Sequence, residues 1–131
     1  MRTLAVGVDI IDNSRIKKSI INKKFITRIF SNDEIVRSKK VFNKTAFFSK
    51  IFAAKEAFSK ALGTGFRKGL NFCDISITND KYGKPSIKLN NKLQNIIKKK
   101  FKTKKKINVF LSISDEKKHS IAFVVLGKKW I

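Results

Sequence analysis

From Thr3 to Ile11 the chain reads TLAVGVDII, apolar and β-branched at odd and even positions alike, which predicts a strand covered on both faces. The period then lengthens. Ile16, Ile20 and Ile21, followed by Phe25, Ile26 and Ile29, form a helical stripe bordered by Arg15, Lys17, Lys18, Lys24 and Arg28, with Asp12 or Asn13 placed to cap its start. Ser31 with Glu34 three residues on is a capping-box pattern for a second, short helix. A longer helix runs from Asn43 or Thr45 through FFSKIFAAKEAFSKAL to a stop at Gly63, with Gly65 close behind. Strands follow at CDISIT, PSIKL and INVFLSIS, and a last one spans Ser120 to Leu126. Asp80 to Gly83 forms a hairpin turn between the first two, and a helix from about Asn91 to Phe101 precedes the third. Strand, helices, then β-β-α-β-β predicts a small single α+β domain with a largely antiparallel sheet packed against helices.

Composition sharpens this picture in two ways. The 131 residues suit one domain over 1–131, and 31 basic against 9 acidic residues give +22, the charge of a protein that meets a polyanion, although codon drift toward Lys, Asn, Ile and Phe yields the same excess. Cys73 is the only cysteine, so no internal disulfide or multi-cysteine metal site exists and a cytoplasmic setting is expected. No apolar run approaches the ~20 residues of a membrane span, and Met1-Arg2 before an acid-bearing β run does not resemble a signal peptide.

With so few acids, their positions carry information. A carboxylate inside an apolar strand is costly without a cation or hydrogen bonds, so Asp9 sits either at a sheet rim or in a site. Glu56, among Phe52, Ala54, Ala57 and Phe58, is a second acid in an apolar setting. Glu56 and Lys60 are four apart and can simply pair on one helix face. Two such acids also suit a shared hard cation, with Mg²⁺ bound by one or two carboxylates and substrate phosphate oxygens. In phosphoryl transfer the cation neutralises phosphate charge, a lysine stabilises the transition state and a carboxylate or water takes a proton, needs that Asp9, Lys60 and Glu56 can meet. Gly63-Thr64-Gly65 is either a plain helix stop or a place where backbone amides approach phosphate. Gly83-Lys84-Pro85 is not a Walker loop. The run KKKFKTKKK reads as a solvated helix end and loop; it lacks base-stacking aromatics beyond Phe101, so a nucleic-acid partner is not expected.

GVDIIDNSRI, FAAKEAFSKALGTGF, the YGKP turn and LSISDEKKHSIAFVVL, in this order and spacing, resemble the holo-[acyl-carrier-protein] synthase family of phosphopantetheinyl transferases over nearly the whole chain. The resemblance implies transfer of 4′-phosphopantetheine from coenzyme A to a serine hydroxyl of apo acyl carrier protein, with Mg²⁺ required, in a small α+β homotrimer with interfacial sites. Asp9 and Glu56 match the metal-binding acids, and Glu56 or a water it holds matches the base. Lys60 matches the lysine near the transferred phosphate. Gly63, Lys84 and Pro85 match the coenzyme A pocket, and Arg15, Lys24, Phe25 and Arg28 match the surface that holds the acidic carrier.

Two positions depart from the pattern. Asp115 stands where the family often has histidine, in the coenzyme A pocket, where it can hold a water, lean on the metal or act only as a turn residue. Ile51 stands where many relatives have arginine, which leaves a phosphate contact to Lys50 or another lysine. His119, the only histidine, reads as a solvated loop residue.

Overall fold

A computed structural model of the chain describes residues 1–63 and 71–129. β1 (Arg2–Asp12) leads through α1 (Asn13–Ser19), α2 (Lys23–Ile29) and α3 (Asn32–Ser38) to the long α4 (Lys44–Leu62). A 3₁₀ turn (Phe72–Asp74), β2 (Ser76–Asn79), β3 (Pro85–Lys88), α5 (Asn91–Lys100), β4 (Ile107–Asp115) and β5 (His119–Lys128) complete the α+β domain. β1, β5 and β4 form one antiparallel sheet in that spatial order, and β2 and β3 form a separate antiparallel hairpin.

The contact between β1 and α4 organises the core. Gly7 lies so close to the helix that a Cβ there would sit 2.0 Å from the Ala57 carbonyl oxygen and 2.6 Å from the Ala61 nitrogen. Only glycine allows this approach, and the Ala53, Ala54, Ala57 run keeps the facing surface of α4 small. Phe48, Phe52, Phe58 and Leu62 of α4 fill the space around it, together with Val124 and Leu126 of β5. The burial of each such side chain stabilises the fold by about 1.5–3 kcal/mol.

The expectation that β1 is covered on both faces needs correction within this chain. Gly7, Asp9 and Ile11 face α4, but Val6, Val8 and Ile10 are 54–60% exposed. By register they continue into exposed Ile121 and Phe123 on β5 and Phe110 on β4. Among the described residues α4, the helix with the main contact to this sheet, packs on the opposite face, where Gly7, Asp9 and Ile11 point, and the sequence is apolar on a face that is left exposed.

The first helical stripe is likewise divided. Asn22 interrupts it by accepting a hydrogen bond from the Lys24 backbone N–H and starting α2 afresh, and Ile21 is left 82% exposed. Asp12 caps α1 and Asn43 caps α4, while Ser31 and Glu34 form the expected reciprocal box. In CDISIT the first residues belong to the 3₁₀ turn, where Asp74 accepts from Asn71 N and from Lys92 Nζ at 2.7 Å, so β2 begins only at Ser76. Asp80 Oδ1 accepts from the Tyr82 and Lys84 backbone amides, and Gly83 at φ 85° closes the hairpin.

Beneath α4 lies an ion pair with no exposed surface. Lys55 Nζ contacts Glu34 Oε1 at 2.7 Å and donates to the carbonyls of Ile29 and Phe72 at 2.7 and 3.0 Å. Glu34 in turn accepts from the Ser31 and Ile77 amides. Burial pushes the Lys55 amine below the usual lysine range, and the adjacent Glu34 charge opposes that shift. The pair joins the α2–α3 connection, α3, α4, the 3₁₀ turn and β2 at one point.

Candidate active site

Strand parity aims Asp9 at α4, and the helix returns Lys60 to it. Lys60 Nζ donates to Asp9 Oδ1 at 2.8 Å, and the Asp9 side chain is only 11% exposed. Asp9 is therefore not at a rim: it pairs with Ala122 within the ladder, three residues short of the end of β1. Its second oxygen, Oδ2, is buried with no hydrogen-bond partner among the described residues. Glu56, one turn before Lys60, is half-buried; burial first, and then the Asp9 charge, raise its carboxyl above the usual range, against the pull of Lys60 and Arg15. Lys60 thus bonds Asp9 and reaches Glu56 only through its charge, rather than forming the simple i,i+4 pair.

A buried carboxylate oxygen without a donor, next to a second carboxylate that it repels, is a place where an added cation would lower the energy. The donor set, two carboxylates with hard oxygens, fits Mg²⁺, an ion that commonly takes one or two carboxylates and completes its shell with water and phosphate oxygens. No cluster of three or more His, Cys, Asp or Glu exists among the described residues.

The other expected residues fall into separate places. The Arg15 guanidinium lies 6.0 Å from the centre of the Phe52 ring and near enough to Glu56 to act on it. Lys24, Phe25 and Arg28 line one open groove of about 500 Å³ together with Lys18, Ser19 and Asn22. Phe25 is fixed there edge-on to Phe30, with ring centres 6.1 Å apart. Gly63 ends α4 at φ 77°, as expected of a left-handed stop; Thr64 and Gly65 lie outside the described residues. Lys84 is exposed and Pro85 half-buried at the β2–β3 hairpin, away from any described bond to Asp9 or Glu56. Asp115, exposed at the end of β4, lines a groove with Asn13, Lys17, Asn43 and Thr45. By register it is two strands and two residues from Asp9, roughly 12 Å at ordinary sheet spacings. Ile51 is buried, and His119 is exposed with Nδ1 3.0 Å from Glu116 Oε1.

Sequence reasoning missed two supports. Lys55 carries no pattern that separates it from the other lysines of α4, and Glu34 signalled only its cap. Asn13 is buried, donates to the carbonyls of Glu116 and Lys117 and accepts from Ser120 Oγ at 2.8 Å, which ties the β4–β5 turn to the start of α1. Its partners are more than a hundred residues away, beyond the reach of any local signal.

The described residues thus bring a strand carboxylate against a long helix that supplies a second carboxylate and a lysine, on a small antiparallel α+β frame. Residues 5–124 match the 4′-phosphopantetheinyl transferase superfamily, and the chain belongs to it. More particularly, it is 58% identical over 129 residues to the holo-[acyl-carrier-protein] synthase of Pelagibacter ubique (strain HTCC1062), covering 98% of this chain and 100% of that one. The holo-[acyl-carrier-protein] synthase of Zymomonas mobilis subsp. mobilis is 42% identical over 94% of this chain and 95% of its own. Among solved structures, the synthase from Neisseria meningitidis superposes with a TM-score of 0.84 at 33% identity, over 95% of this chain and 98% of that one. The synthase from Bacillus anthracis str. Ames, in complex with CoA (3′,5′-ADP), gives 0.81 at 35% identity over 98% and 100%.

Proposed function

We propose that this chain is a Mg²⁺-dependent holo-[acyl-carrier-protein] synthase acting in the cytoplasm in support of fatty acid biosynthesis. It transfers 4′-phosphopantetheine from coenzyme A to a serine hydroxyl of apo acyl carrier protein and releases adenosine 3′,5′-bisphosphate. The observation that carries this reading is the Asp9–Lys60–Glu56 cluster with its unpartnered Asp9 oxygen, in a chain 58% identical to a protein of that name.

In this reading Asp9 and Glu56 would hold Mg²⁺. The ion, when bound, supplies charge neutralisation on the diphosphate oxygens. The serine oxygen forms a bond to the phosphorus that carries pantetheine, and the bond from that phosphorus to the bisphosphate oxygen breaks. Glu56, or a water it holds, takes the serine proton. The Lys60 ammonium stabilises charge on the phosphoryl group as it moves. Gly63, Lys84, Pro85 and Asp115 belong to the coenzyme A pocket. The distance of Asp115 from Asp9 within one chain supports a site completed across a subunit boundary, and the bare face of Val6, Val8, Ile10, Phe110, Ile121 and Phe123 supports burial in a homotrimer. Arg15, Lys24 and Arg28, with Phe25 as the apolar contact, form the surface for the acidic carrier.

The test is to incubate the protein with coenzyme A, Mg²⁺ and an apo acyl carrier protein and to weigh the carrier. A gain of about 340 Da, lost with chelator and reduced at least ~100-fold in rate by Glu56→Gln, is expected for metal-assisted phosphoryl transfer with that base. Near-normal transfer by the Gln variant would remove Glu56 from the role, and a monomer by light scattering under active conditions would remove the trimer.

A further inference from the structure

The last residue of α5, Lys100, is an exposed lysine. Leu93 and Ile97 are fully buried, and seven residues after Leu93, two helical turns on and on the same side, stands Lys100. It extends past the buried stripe rather than into the core. The lysine reaches the end of α4: its Nζ lies 4.0 Å from the point where a side chain on Gly63 would begin. Among the described residues no carboxylate pairs with it, in contrast to Lys92 of the same helix, which is paired with Asp74. The segment 64–70, TGFRKGL, contains no acid.

Gly63 is three residues beyond Lys60, about 4.5 Å further along the helix axis. The end of α4 therefore carries two ammonium groups, of which Lys60 is matched by Asp9 and Lys100 is unmatched. Resting on the function proposed above, we infer that Lys100 is a further phosphate-binding residue of the coenzyme A pocket, holding the part of the substrate that leaves as adenosine 3′,5′-bisphosphate. Its chemistry is that of a flexible point charge rather than a bidentate fork, suited to a phosphate group at the mouth of a site.

The experiment is calorimetric titration of adenosine 3′,5′-bisphosphate into the intact protein, wild type, Lys100→Ala and Lys100→Arg, with steady-state kinetics on coenzyme A alongside. Lys100→Ala is expected to weaken bisphosphate binding and raise KM for coenzyme A about tenfold, with kcat within about twofold, and added salt should narrow the gap. Lys100→Arg should restore most of the affinity. A lysine that only neutralises the carbonyl end of α4 would instead lower the melting temperature of Lys100→Ala and leave affinity unchanged, and that result overturns the inference. Wild-type protein that binds the bisphosphate but never modifies a carrier would defeat the proposed function while the binding comparison still decides Lys100. Wild-type protein that does not bind it defeats the inference outright.

Discussion

Replacing Lys55 with methionine should destabilise this protein more than removing almost any other charge. The substitution keeps the apolar stem but deletes the ammonium that contacts Glu34 and donates to the carbonyls of Ile29 and Phe72. Glu34 would remain fully buried with only the Ser31 and Ile77 amides facing it. Breaking a buried pair from one side costs about 3–5 kcal/mol, a large part of the ~5–15 kcal/mol that holds a typical domain together. At an ordinary urea slope for this size, the midpoint should fall by about 2 M. Glu34→Gln alone should also be costly, because it leaves the ammonium without its counter-charge. The double variant should be less damaged than the sum of the two, with a coupling of about 2 kcal/mol, since neither charge is then stranded. The assay is urea unfolding followed by circular dichroism at one fixed protein concentration, so that subunit association does not enter the comparison. A cost for Lys55→Met below about 1 kcal/mol, or strict additivity in the cycle, would refute the view that the pair acts as a buried unit.

Two further outcomes follow from the β1–α4 contact. Gly7→Ala places a methyl inside van der Waals distance of the Ala57 carbonyl and must push the helix off the strand, with a loss of about 1–3 kcal/mol or more and a disturbed Asp9–Lys60 bond; unchanged unfolding and activity would contradict the close approach. Glu56 tests the electrostatics. Its folded-state pKa lies above the ordinary 4.5, so between the two values the native state holds the proton more tightly and stability falls as pH rises through that window. In chelator, Glu56→Gln should therefore melt higher than wild type at neutral pH, with the gap closing as pH falls below about 4, where the wild-type carboxyl becomes protonated in both states. A Gln variant that melts lower at neutral pH would reverse the sign.

The legible parts of this protein were those fixed by neighbours in the chain. Caps at Ser31 and Asn43, the left-handed stop at Gly63 and the Asp80–Gly83 turn rest on hydrogen bonds and backbone angles a few residues long, and each formed where the residues indicated. The candidate site was legible for a related reason: an acid in an apolar strand and another in an apolar helix are costly enough that their presence alone marks them. Asn22 shows the limit even at short range, because a local cap overrode a hydrophobic period that ran straight across it.

Sequence by itself thus determined most of the elements, the α+β class and the candidacy of Asp9, Glu56 and Lys60, because these depend on local propensity and on the cost of burying charge. Tertiary structure alone decided which partner each charge takes. It gave Lys60 to Asp9 and Lys55 to Glu34, placed Lys100 at the end of α4, and left one face of the sheet bare. Those outcomes depend on distances between residues tens of positions apart, set by how closely α4 can settle onto Gly7, and no period in the chain encodes them.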